Sequence, residues 1–249
     1  MSTTWKWAAV GLGVAAVGAM VGWCLGHPRL TALRAGGAGP PTMVLLHGYG
    51  SSAEQWLPFT HSIPFPPQGR FLLPEAPETF VRLSGASQGR AWWDLDLAAH
   101  RRPGQLGVDL VGLDPRGLER AAKLVRDLLA SEGNSAHRPF VLGGFSQGAM
   151  VSCQVAFASD EPLAALVILS GTPINQAAWR PLLARRKGLP VFMSHGRSDA
   201  ILPYDLAETL RADLVAAGLA VTFVPFDGGH EIPAEVVVAL GNFLAQVKP

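Results

Sequence analysis

Short apolar runs recur along the chain: MVLL (43–46), RFLL (70–73), FVLG (140–143), ALVILS (165–170), LPVFMS (189–194) and AVTFVPF (220–226). Most are continuous rather than alternating in apolarity, the pattern of strands covered on both faces of a sheet. Between them PRGLERAAKLVRDLLASEG (115–133), GAMVSCQVAFAS (148–159), YDLAETLRADLVAAG (204–218) and IPAEVVVALGNFLAQV (232–247) predict helices. In the first of these, Leu118, Ala121, Ala122, Val125, Leu128 and Leu129 recur at helical spacing. Arg120, Lys123, Arg126 and Asp127 take the other side, and Gly133 stops the helix. Helices alternating with buried strands predict a three-layer α/β fold with a mostly parallel central sheet. Its ligand site is expected beyond the carboxyl ends of the strands.

The stretch Ser51–Arg116 breaks this rhythm with frequent prolines and aromatic patches, and reads as irregular excursions around one or two strands that wall a pocket. A second departure is WAAVGLGVAAVGAMVGWCLG, Trp7 to Gly26, which carries no charge over 20 residues. As a helix it would be about 30 Å long, enough to cross a bilayer, with Trp5, Trp7 and Trp23 near the interfaces. Residues 1–26 are therefore read as a single-pass membrane anchor, 27–40 as a flexible tether around AGGAGPP, and 41–249 as the folded domain. A signal peptide cleaved on secretion is the alternative, although no small-x-small site follows the run. Gly18, Gly22 and Gly26 form a small-residue stripe that would let two anchors pack into an oligomer.

Charge narrows the function. Lys plus Arg number 20 and Asp plus Glu 19, interspersed, for a net charge of +1. Without a concentrated basic face there is no reason to expect nucleic acid as a partner. Only two cysteines occur, Cys24 and Cys153, and no Cys/His cluster has zinc-ligand spacing, so neither a metal nor a disulfide framework is expected.

The pentapeptide G-x-S-x-G occurs twice, as GASQG (85–89) and GFSQG (144–148). The second joins a strand-like run directly to a helix-like one, the corner at which a serine hydroxyl can project while new helical N–H groups face developing negative charge. GASQG leads into RAWWDLDLAAHRRPG and has no such corner, so Ser87 reads as a loop serine and Ser146 as the candidate nucleophile. A serine needs a base, and the base an orienting carboxylate. VFMSHGRSD brings Asp199 to one later strand end, and VTFVPFDGGHE brings His230 to the last. Asp205 falls inside a helix, Asp227 is too close in sequence to reach behind the His230 imidazole, and His195 is better placed to support the Asp199 loop than to act as base. The charge created on a carbonyl oxygen needs N–H donors, each worth about 3 to 4 kcal/mol. The backbone N–H groups of Gln147, after the serine, and of Tyr49, in the LLHGYG loop, are the candidates.

Taken together, LLHGYG, FLLPEAP, RAWWDLD, LGGFSQGAM, LSG (169–171), SHGRSD and GGHEIP resemble, in order, the phospholipase/carboxylesterase group of α/β-hydrolases, which includes acyl-protein thioesterases. The resemblance spans Pro41 to Val247. It implies an α/β-hydrolase fold and cleavage of carboxylic esters, thioesters or lysophospholipids through an acyl-enzyme, with no metal or organic cofactor. It implies Ser146, Asp199 and His230 as triad, Tyr49 and Gln147 as oxyanion donors, and Trp92 and Trp93 as pocket wall in contact with substrate or as loop core packed beneath it. The apolar run and Tyr49, where many relatives carry leucine, depart from the pattern and leave the substrate open. A small peptidase or a non-catalytic binding protein on the same fold remain the alternatives.

Overall fold

The computed structural model describes residues 29–81, 88–96, 99–103, 107–113 and 115–247. Seven strands form one sheet: β1 (Ala32–Gly36), β2 (Gly39–Leu46), β3 (Gly69–Pro74), β6 (Phe140–Phe145), β7 (Leu163–Leu169), β8 (Pro190–Gly196) and β9 (Ala220–Phe226). Their order is β1-β3-β2-β6-β7-β8-β9. Every neighbouring pair is parallel except β1 with β3. A hairpin of β4 (Glu78–Val81) and β5 (Gln88–Ala91) stands apart from the sheet.

Strand alternation divides the core between the two faces of the sheet. Val44, Leu46, Leu142, Leu166, Ile168 and Met193 pack with α2 (Arg116–Ser131), α3 (Gln147–Ala158) and α4 (Tyr204–Ala216). Met43, Leu45, Val141, Val167, Leu169 and Phe192 pack with α1 (Ala53–Thr60) and α5 (Ala234–Leu244). The result is the expected three-layer arrangement. α3 has no polar face and is buried from Gln147 to Phe157, as a helix at the centre of a layer must be. Because β2, β6, β8 and β9 run parallel, the loops that leave their carboxyl ends all emerge along one edge.

The chain enters the sheet earlier than the sequence suggests. β1 and the first residues of β2 lie inside the stretch read as a tether, and β1 pairs along its length with β3, Ala32 opposite Pro74 and Gly36 opposite Arg70. Glycine and proline here serve an edge strand and its turn rather than a linker. The 51–116 excursion is likewise more ordered than its composition implies, holding α1 and the β4–β5 hairpin besides β3.

The structure also corrects the membrane localisation. Among the described residues no helix is long and apolar enough to cross a membrane. The longest, α2, has 16 residues, about 24 Å against a hydrocarbon core of about 30 Å, and its outer face is charged. The run Trp7–Gly26 itself lies outside the described residues, as does Ser87.

Candidate active site

Ser146 sits between the end of β6 and the first turn of α3 with φ 54° and ψ −118°. A non-glycine residue rarely takes positive φ, and holding it there costs on the order of 1 to 3 kcal/mol. The surroundings enforce it. The Ser146 N–H donates to Leu169 O on β7 at 2.9 Å, and its carbonyl accepts the Met150 N–H at 3.2 Å. The helix can rise so abruptly only because residue 148 lacks a side chain: a Cβ on Gly148 would lie 2.3 Å from Leu46 O. The peptide N–H of Gln147 is the first of α3, where the helix supplies no acceptor.

Asp199 follows β8, and its side chain has no exposed surface. Its Oδ1 accepts the N–H groups of Ile201 and Leu202, both at 2.9 Å. Its Oδ2 accepts His230 Nδ1–H at 2.7 Å. A carboxylate offers only acceptors, so this bond leaves the lone pair of the neutral imidazole on Nε2. Burial pushes the Asp199 pKa up, but hydrogen bonds from His195 and His230 and the Leu202 N–H outweigh it and hold the carboxyl far below the usual carboxylate range. The loops after β8 and β9 are tied together by Arg197 N–H to Phe226 O and Ser198 N–H to Gly228 O, both 2.9 Å. The His230 ring packs against Phe145, next to Ser146, with centroids 4.7 Å apart.

His195 is a second imidazole on the same carboxylate. Its Nε2 is 2.7 Å from Leu202 O and 3.3 Å from Asp199 Oδ2, both acceptors, so this nitrogen carries the proton. The other carboxylates considered from sequence lie elsewhere: Asp227 is exposed beside Arg197, and Asp205 pairs with Arg102.

The loop after β2 passes over Ser146. A Cβ built on Gly48 would lie 3.4 Å from Ser146 Cβ, and Ser51 N–H closes the turn onto Gly48 O at 3.2 Å, with Tyr49 inside it. Burial, then the carboxylates of Asp94 and Asp96, raise the pKa of the Tyr49 phenol, which therefore stays neutral.

Of the two places implied for Trp92 and Trp93, pocket wall in contact with substrate and loop core, the structure shows the second. They are 1% and 3% exposed and belong to the core beside α2 and α3, whereas the wall of an open pocket keeps accessible surface. Sequence reasoning also missed the side chain of Gln147, buried and bonded at both ends: Oε1 accepts the Trp92 N–H and Nε2 donates to Trp93 O, each at 2.9 Å. Only the repeated glutamine of the two pentapeptides hinted at a role.

A buried carboxylate that orients an imidazole, beside a strained serine at a helix N-terminus, is an arrangement able to activate a hydroxyl for attack on a carbonyl. The comparisons agree with that chemistry. The family model described as Phospholipase/Carboxylesterase matches residues 35–248. Acyl-protein thioesterase 1 of Cryptococcus neoformans is 31% identical over 168 residues, 66% of this chain and 68% of that protein. Acyl-protein thioesterase 1 of Neurospora crassa is 27% identical over 215 residues, 82% of each. Among solved structures, esterase PE8 superposes with a TM-score of 0.69 at 26% identity, covering 88% of this chain and 100% of that one. Acyl-protein thioesterase 2 of Zea mays gives 0.63 at 24%, covering 82% and 92%, which speaks for the fold.

Proposed function

The chain belongs to the phospholipase/carboxylesterase family, and from that premise we propose that it hydrolyses carboxylic esters or thioesters through Ser146, His230 and Asp199. The observation that carries the reading is the 2.7 Å bond from His230 to the buried Asp199, beside a serine held at positive φ on a strand-to-helix corner. The names of the relatives support an acyl ester or thioester as substrate.

In the first half-reaction Ser146 Oγ attacks the acyl carbonyl as its proton passes to His230 Nε2, and the carbonyl π electrons move onto oxygen. The peptide N–H groups of Gln147 and Tyr49 stabilise that oxygen, helped by the N-terminus of α3. Collapse of the intermediate expels the alcohol or thiol, which takes the proton from His230. Water then repeats the sequence on the acyl-enzyme, with His230 as base, and releases the acid. Asp199 stays ionised throughout, and its low pKa suits it to face an imidazolium.

The test is turnover of p-nitrophenyl butyrate by the full chain together with labelling by a fluorophosphonate probe. Wild type is expected to turn over and to label, and Ser146→Ala to do neither. Undiminished turnover by Ser146→Ala would overturn the assignment, and a wild type that neither labels nor turns over would favour a non-catalytic scaffold. A panel of esters, thioesters and lysophospholipids then ranks the substrates.

A further inference from the structure

The first pentapeptide, GASQG (85–89), supplies no nucleophile in this reading, yet its last residue opens a segment that touches both oxyanion elements. We propose that Gly89–Trp93 is a positioning brace that sets the distance between the two oxyanion donors, Gln147 and Tyr49. The inference rests on the hydrolase reading above and adds to it the element that holds the donors.

The donors come from different strands, Tyr49 from the loop after β2 and Gln147 from the helix after β6, so neither strand alone sets their separation. The brace bonds to each. On one side, Trp92 N–H and Trp93 O take both ends of the Gln147 amide, a side chain used as though it were one more strand. On the other, the residues flanking Tyr49 are held before and after it. Trp92 Nε1–H donates to His47 O at 2.8 Å. Gly50 N–H donates to Arg90 O, and Arg90 N–H to Ser51 O, each at 2.8 Å.

The brace is itself fastened. The Arg90 guanidinium donates to Ala76 O at 2.8 Å and to Thr79 Oγ1 at 3.0 Å, locking the hairpin onto the end of β3. Gly89 is the point of closest approach: a Cβ there would lie 2.3 Å from Gly50 O and 2.8 Å from Gly50 Cα. Both are backbone atoms of the residue that follows Tyr49, so any side chain at 89 must push the oxyanion loop. The glycine that completes GASQG is thus explained by contact with this loop, and the buried tryptophans by what their backbone and indole hold.

Donors stabilise an oxyanion only when they converge on the place it will occupy. Loosening the brace should weaken the transition state while leaving substrate binding almost unchanged. The experiment compares Trp92→Phe, which keeps an aromatic ring but loses the N–H to His47 O, with Gly89→Ala, both in the full chain. It measures kcat and KM for p-nitrophenyl butyrate, the inhibition constant of an alkyl trifluoromethyl ketone and the melting temperature. The ketone is added because its adduct with the serine places an oxyanion in the hole.

Trp92→Phe is expected to lose roughly 10- to 100-fold in kcat, the scale set by a misplacement of about 1 Å. KM should stay within about twofold, with the ketone's inhibition constant rising by the factor lost from kcat/KM. Gly89→Ala should change in the same direction, and if it does not fold Trp92→Phe decides alone. A folded Trp92→Phe with kcat within about twofold of wild type, or with lower kcat but unchanged ketone affinity, overturns the brace. A wild type without Ser146-dependent turnover overturns the hydrolase reading and the brace with it; active wild type with indifferent variants overturns the brace alone.

Discussion

Replacing Asp199 by asparagine tests the electrostatic centre of the site with the smallest change in shape. The Oδ1 position must accept two N–H groups, from Ile201 and Leu202, so the amide oxygen of asparagine has to occupy it. The amide NH2 is then forced into the Oδ2 position, where it faces His230 Nδ1 at 2.7 Å. Two donors cannot share that contact, so the imidazole proton moves from Nδ1 to Nε2 and the lone pair that would receive the Ser146 proton disappears. The same exchange in a serine-protease triad costs about 10⁴ in kcat, or on the order of 5 kcal/mol of transition-state stabilisation, and a loss of that order is expected here. Stability should fall less, by about 2 kcal/mol, since the backbone bonds to Oδ1 survive and charge-assisted bonds at Oδ2 are lost. Steady-state hydrolysis of p-nitrophenyl butyrate reads the first effect and urea unfolding the second. In proton NMR, the low-field resonance of an imidazole N–H shared with a carboxylate should vanish. A folded Asp199→Asn variant with kcat/KM within about tenfold of wild type would refute the reasoning, because it would mean that the tautomer of His230 does not matter.

Two further outcomes follow from the same geometry. The native pKa of Asp199 lies below its unfolded value of about 3.9, so its contribution to stability is complete above about pH 5 and is lost as pH falls through the folded pKa. The stability gap between wild type and Asp199→Asn should therefore narrow by about 1 kcal/mol from pH 6 to pH 3 in urea titrations, and a gap that widens would contradict the depressed pKa. A chain beginning at Pro41 lacks β1 and the ion pair from Arg34 to Glu132, and bares the edge of β3. At about 0.5 to 1.5 kcal/mol per net hydrogen bond, a loss of roughly 2 to 4 kcal/mol relative to the full chain is expected, and equal melting temperatures would show that β1 is dispensable.

How much was legible follows from how local each signal is. The place of Ser146 in the fold could be read because strand, turn and helix are written consecutively around it, and those of Asp199 and His230 because each follows an unmistakable strand. β1 could not, since ALRAG has little apolar pattern and pairs antiparallel with a strand more than thirty residues on, from Arg70 to Pro74. The hairpin and α1 were hidden by prolines and polar residues that suit loops equally well. Trp92 and Trp93 were visible as a motif whose place stayed open, because residue type does not say whether an indole faces a pocket or the core.

By itself the sequence determined the layers of the fold and the chemistry available at its strand ends, because hydrophobic period and turn residues act over a few positions. Tertiary structure alone decided what those ends touch. It put two histidines on one oxygen of Asp199, the Gln147 amide between two tryptophans, and Gly89 against Gly50. Each of these contacts joins segments distant along the chain, and its geometry depends on parallel strands stacking their loops along one edge.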